Sequence, residues 1–496
     1  MYSGLNIFPE GESYLYKKTF LDTAAKNKHL LWRAGFGPNA RQLSILDNTT
    51  PAALLTELLN SSSQSPHLID ITDPEIRALS RRVDDQGKPI VLTAAQRLRI
   101  REASREDYKK LNVAWLQQMV ESENQLGEKM ALFWHGHFAS RSINIFYQQQ
   151  LIDILRTHAM GNFGTLLKEV SRSASMINFL NNNQNRKDRP NENFAREVME
   201  LFTLGIGNYT EKDVKEAARA FTGWGVTVQG DFSFRRARHD EGIKTFLGKT
   251  GAFGGSDILD ILLEQRATAT FITRKIYRFM VNEKPDDEKV RWLSDRFYSG
   301  GYNIRNLMLD IFSSDWFFDA ENTGNRIKSP VELLVGIRRT LPMEIQNAQV
   351  QVILQSLLGQ VLLFPPNVAG WPGGKNWIDG SSLMLRLRIP QMIAAGEIPD
   401  LETSDNDDLA MGRMDMPKNL RGMAAFTSDI DWKPLQHYLK DTPDKDIADV
   451  LSNVVLPYIP GRKFKVQYGR LNRGSREELI RSSAIQLMST PEYQLC

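Results

Sequence analysis

Between Asn191 and Trp224 the chain reads NENFAREVMELFTLGIGNYTEKDVKEAARAFTGW, two apolar helical stripes turned back on each other through Gly205 and Gly207. Stripes joined by so short a turn must lie side by side, which constrains this part of the fold to helix against helix. On a wheel advancing about 100° per residue from Phe194, Val198 and Leu201 fall beside it, and Glu197 falls between Leu201 and Leu204. The spacing therefore points Glu197 toward the core. A buried carboxylate without a partner is costly, so a counter-charge, a metal ion, a proton or a hydrogen-bond network is expected beside it. Glu200, three residues on, sits at the edge of the stripe, where it either converges with Glu197 or pairs with Arg196.

Helical periodicity dominates the rest of the sequence, with short Gly, Pro, Asn and Ser segments between periods. The expected fold is mainly α, a multi-helix globular bundle. One interruption is the β-branched and aromatic alternation after Trp224, which predicts a small β-hairpin insertion near 225–250. Residues 1–395 read as the main helical domain, 396–430 as a polar linker or excursion, and 431–496 as a C-terminal helical segment packing on the main domain. The mixed-charge stretch from Ala94 to Leu126 reads as a helix with a solvated face, and Asp84 to Thr93 as an exposed excursion before it.

The 62 basic side chains exceed the 59 acidic ones by three, so no global field draws the chain to nucleic acid or an anionic membrane, and anion binding must be local. The one cysteine, Cys496, excludes disulfides within the chain and thiolate metal sites. No stretch approaches the roughly 18 continuous apolar residues of a membrane span, and the opening residues lack a basic start followed by an apolar run. As written, the chain is expected to be soluble and cytoplasmic, with export through a removed signal left open.

Three clusters carry ligand-type side chains. In EKMALFWHGHFAS, an unbroken helix aligns Met130, Phe133, Trp134 and His137 and turns His135 about 200° away. The two imidazoles share a side, and become able to hold one metal, only if the helix ends near Gly136. Otherwise one is a core histidine bonded to a carbonyl and the other lies at the surface. The second cluster is Glu197 with Glu200, where inward carboxylates near histidines are one way helical metal sites are assembled; a structural salt bridge is the competing reading of Glu197. In the third, RRARHDEGIKTFLG, His239 and Asp240 complete a site or merely form a turn. Arg235, Arg236 and Lys244 then either hold a phosphate, sulfate or carboxylate or face solvent.

Thr210 and Asp213 have capping-box spacing, and Lys328 and Glu332 lie where Pro330 starts a helix. Trp371 and Trp377 either stack on sugar rings or pin a Pro- and Gly-rich loop to the core. The phosphate loop, the nucleophile elbow, the dinucleotide-binding glycines and H-E-x-x-H are absent.

The ordered series LLWRAGFGPN, FWHGHF, NENFAREVMELFTLGIGNYTEKDVKEAARAFTGW, HDEGIKTFLG, FITRKIYRFMV, KSPVELL and PPNVAGWPGGKNW resembles the large bacterial family catalogued as domain of unknown function 1800. The likeness runs from about His29 to the closing STPEYQL. It implies a largely helical full-length unit and a companion protein of the sulfatase-like type in an export or surface-polymer pathway. The family usually has Asn between the two histidines where this chain has Gly136, and it has no accepted catalytic residues to carry over.

Together these features lead to the expectation of a metal-assisted hydrolase or related enzyme acting on an anionic polymer or conjugate. His135, His137, Glu197, Glu200 and His239 would hold a divalent metal such as zinc, manganese or iron. Glu197, His239 and Asp240 would be catalytic, and Arg235, Arg236 and Lys244 would bind substrate. The alternative is a non-catalytic helical scaffold that binds the companion. Nucleic acid is not an expected partner, because the arginines alternate with acids.

Overall fold

The computed structural model describes residues 21–71, 73–81, 91–142, 144–227, 229–396, 427–457 and 474–496. The chain is mainly α, with three two-stranded antiparallel sheets among its described residues. Local sequence sets many of the helix starts. Thr93 and Gln96 form a capping box for Ala94–Glu121, Asn124 caps Gln125–His137, and Ser329 with Glu332 boxes Pro330–Thr340, which has proline in its first turn. The expected box of Thr210 and Asp213 starts Glu211–Ala220.

Two hydrophobic cores meet along one helix. The larger runs through the helices from Leu30 to Leu363, and the smaller joins Leu333 to Cys496 with Trp32 and Leu43. Pro330–Thr340 is buried along its whole length, sending Val331 and Val335 into the first core and Leu333, Leu334 and Ile337 into the second. This helix, buried on both sides, is shared by the cluster that includes the C-terminal helices and the cluster of the larger core. The proposed linker lies largely outside the described residues, as do 84–90 of the proposed excursion.

The single hairpin expected near 225–250 is two hairpins. Trp224–Val226 pairs with Phe232–Phe234, and Lys244–Phe246 pairs with Lys249–Gly251, with a turn of 3-10 helix at Arg236–Arg238 between them. The third pair, Met343–Ile345 with Ser428–Ile430, packs Met343, Ile345 and Ile430 on the smaller core at a point where no strand was expected.

The segment around Glu197 also departs from its simple wheel. Asn193–Glu197 is α-helical, but Val198–Thr203 is π-helical, with the Leu204 N–H donating to the Met199 carbonyl at 2.8 Å. Each residue of a π turn advances less around the axis than in an α-helix, so the 100° wheel slips after Glu197. Leu201 ends up half-buried and Thr203 fully buried.

A cationic cavity beside His137 as the candidate functional site

Helix Gln125–His137 passes through Gly136 without a break, so His135 and His137 leave it on opposite sides. Both are buried, against the expectation of one at the surface. The Leu363 N–H donates to Nε2 of His135 at 3.0 Å, and the ring lies among Trp115 and Trp371 with centroids 5.2 and 5.3 Å away. Burial lowers its pKa to about 3, so His135 is a neutral core residue.

His137 faces different chemistry. Its Nε2 lies 3.2 Å from the Phe202 carbonyl, and Nδ1 lies 3.2 Å from Nζ of Lys275. A carbonyl only accepts and an ammonium only donates, so these contacts assign the proton to Nε2 and the lone pair to Nδ1. Burial, reinforced by the positive charge of Lys275, holds the imidazole pKa well below its ordinary value and keeps the ring neutral. Lys275 also donates to the Leu201 carbonyl at 3.1 Å and lies over the Phe271 ring, 4.8 Å from its centroid. Burial brings its pKa down to about 8.

The carbonyls of Leu201 and Phe202 are free to accept because they lie at the end of the π segment, where a helix leaves its last carbonyls unpaired. The segment that suggested a Glu197 site thus contributes its backbone. Glu197 itself is half-buried, and burial together with the adjacent Glu200 raises its pKa. Arg196 pairs with Glu211 at 2.7 Å and with Glu192, while Glu200 accepts from the Tyr209 hydroxyl at 2.7 Å.

His137, Lys275 and Gly136 line a cavity of about 510 Å³ that also includes Arg278, Glu283, Arg326, Trp371, Lys375 and Trp377. One wall is the Pro- and Gly-rich loop. Gly370 has φ +80°, and a Cβ there would come 2.2 Å from the Gly136 carbonyl, so only glycine lets the loop close onto the helix. Trp377 is buried and Trp371 leans on His135, which is the pinning role anticipated for them. Arg326 is committed to Glu332 by contacts of 2.7 and 3.0 Å, and Glu332 also pairs with buried Lys129. Burial opposes the charge on Glu332, but Arg326 and Lys129 hold its carboxyl far below the usual range. Lys275, Arg278 and Lys375 form no ion pair among the described residues, which leaves the cavity positive.

The third cluster is occupied with its own turn. Asp240 accepts from Nε of Arg219 at 2.7 Å and from the Gly242 N–H at 2.8 Å, and the Arg219 bond lowers its pKa. Nδ1 of His239 lies 2.9 Å from the Thr222 carbonyl. Lys244 is buried and donates to the carbonyls of Asp240 and Gly242, Arg235 donates to the Val226 carbonyl at 3.1 Å, and exposed Arg236 pairs with Glu241 at 2.8 Å. Among the described residues no three His, Cys, Asp or Glu side chains gather closely enough to hold a metal ion. His135, His137, Glu197, Glu200 and His239 therefore do not make one donor set. The unbroken helix parts the two histidines, and the other side chains have separate partners or positions.

Sequence reasoning overlooked Lys275, Arg278, Glu283 and Lys375. The signal for Lys275 was present: it sits among Ile272, Ile276 and Phe279, a charge beside an apolar stripe as at Glu197. No helix among the described residues is long and apolar enough to cross a membrane.

A family model described as "Protein of unknown function (DUF1800)" matches residues 29–495, nearly the whole chain. No curated protein and no solved structure matches. The chain belongs to this family.

Proposed function

We propose that this member of a family of unassigned function binds an anionic group, carried by a polymer or conjugate, in the cavity beside His137, and acts on it as a hydrolase or related enzyme. One observation carries the reading: the contact of Lys275 Nζ with His137 Nδ1, in the wall of a cavity with a surplus of unpaired cations. Lys275 has three N–H groups, and His137 and Leu201 take two of them, so one remains to meet an anion. With a pKa near 8, it is charged at neutral pH yet close enough to neutrality to give a proton to a leaving oxygen. His137, its tautomer set by Phe202, accepts from that ammonium through Nδ1 and holds it in place. Among the described residues no three His, Cys, Asp or Glu side chains cluster at this cavity, so the proposed chemistry rests on Lys275 and the neighbouring cations. A sulfatase-like companion, implied by the family resemblance, would work on the same class of anionic material.

The test is calorimetric titration of the full chain with a sulfated and a phosphorylated polymer, in wild type and Lys275→Met. Saturable binding that Lys275→Met weakens by about 10-fold or more, the loss of one charge-assisted hydrogen bond, supports the proposal. Absence of binding, or binding indifferent to the substitution, overturns it and leaves a helical scaffold for a companion protein as the better reading.

A further inference from the structure

We infer that the group bound in this cavity is a hydroxylated anion, an acidic sugar unit rather than a bare phosphate, sulfate or acidic peptide; this rests on the proposed anion-binding role. Glu283 lines the cavity, and its Oε1 is buried with no hydrogen-bond partner among the described residues. The carboxylate is held beneath the loop: Gly374 has φ +59°, and a Cβ there would come 2.8 Å from that oxygen. An ionised carboxylate only accepts, so the cavity has an acceptor in want of a donor.

Trp371 lines the same cavity, and its Nε1 is a buried donor with no acceptor among the described residues. Lys275, Arg278 and Lys375 add unpaired positive charge to the same cavity. A ligand that satisfies all of these carries negative charge for the cations, a donor for Glu283 and an acceptor for Trp371. An ammonium would supply the donor, but three cations against one carboxylate repel it. A hydroxyl donates and accepts through one uncharged atom, where a peptide amide divides the two between N–H and C=O on opposite sides of a planar group, and a sugar acid brings several hydroxyls and a carboxylate on one rigid ring. The volume of about 510 Å³ lies in the range of small-molecule sites, with room for a sugar unit.

The experiment titrates the full chain with tetragalacturonate, with tetraglutamate as an anion lacking hydroxyls, and with maltotetraose as a hydroxylated neutral chain. Wild type is expected to bind tetragalacturonate about 10-fold or more tighter than tetraglutamate, and maltotetraose weakly or not at all. Glu283→Ala is expected to move the two anions in opposite directions, weakening tetragalacturonate as its acceptor is lost and strengthening tetraglutamate as a negative charge leaves. Trp371→Phe, which removes only the indole N–H from the cavity's polar groups, is the second variant and is expected to weaken tetragalacturonate alone. Equal binding of the two anions by wild type, or parallel shifts in both variants, overturns the sugar inference and leaves the anion-binding proposal standing. Failure of every anion to bind, with Lys275→Met no different from wild type, removes both.

Discussion

Nζ of Lys275 lies 3.2 Å from Nδ1 of His137, and each group makes its other hydrogen bond to one of two consecutive carbonyls, Leu201 and Phe202, at the end of a π turn. One backbone irregularity thus fixes the position of an ammonium and the tautomer of an imidazole. π turns recur at functional sites because they expose main-chain groups that a regular helix consumes.

Charge at Lys275 should govern anion binding. Its pKa near 8 means that affinity for a sulfated polymer falls as pH rises through about 8 and the ammonium is lost. Lys275→Arg stays charged over the same range and should bind with a flat profile from pH 7 to 9. Titrations at three pH values check this, and a wild-type profile as flat as the arginine variant's would count against Lys275 as the anion's partner.

Gly136 faces open space: a Cβ there meets no atom within 4 Å, and the residue lines the cavity. Gly136→Ala should raise stability by up to about 1 kcal/mol through helix propensity and leave binding nearly intact. Gly136→Phe fills the cavity and should abolish ligand binding while the circular dichroism spectrum stays that of wild type. Thermal melts and titrations of the two variants provide the comparison.

Glu332 is the carboxylate on which Lys129 and Arg326 depend, all three being buried. Glu332→Gln leaves two cations in the core without their counter-charge and should cost about 3–5 kcal/mol. Urea unfolding at pH 7 measures it, and a loss below about 1 kcal/mol would show that the network is not the support described.

Buried neutral histidines make stability depend on pH. His135 has a folded pKa of about 3, below the ordinary 6.5, so below pH 6.5 the unfolded chain takes up a proton that the folded one refuses. The stability contribution is complete above about pH 6.5 and is lost at about 1.4 kcal/mol per pH unit as pH falls toward 3. His29 and His137 act in the same sense, while Asp153, raised by burial to about 6, acts in the opposite one. His135→Leu should therefore reduce the slope of unfolding free energy against pH between 6 and 4 by about one proton, whatever its effect at pH 7.

Glu197 has a raised folded pKa, so its charge works against the fold as pH climbs through that value. Glu197→Gln should raise the melting temperature at pH 7 and leave it unchanged near pH 4, where both states are protonated. Unchanged metal content and unchanged anion affinity in the same variant would separate it from the site at His137; loss of a bound metal would restore it to one.

Much of the architecture is legible from local signals. The capping boxes at Thr93, Thr210 and Ser329, the proline at the start of Pro330–Thr340 and the glycine turn after Leu204 are each decided within a few residues. The expectation at Glu197 went astray because a wheel assumes 3.6 residues per turn, and a π turn is stabilised by contacts from other helices, Lys275 and His137 among them. The third cluster looked functional because ligand-type residues were dense there, but density does not show that Asp240 is already committed to Arg219.

By itself, the sequence determined a mainly helical protein of one family, with buried polar chemistry near FWHGHF and NENFAREVMELF, because periodicity and capping are properties of neighbouring residues. Only the tertiary structure decided that His137 meets Lys275, that Gly370 closes onto Gly136, and that Glu283, in the cavity's lining, has a buried oxygen with no donor among the described residues. Those contacts join residues far apart in the chain, and their energies depend on burial and on which partner arrives first, neither of which a linear spacing records.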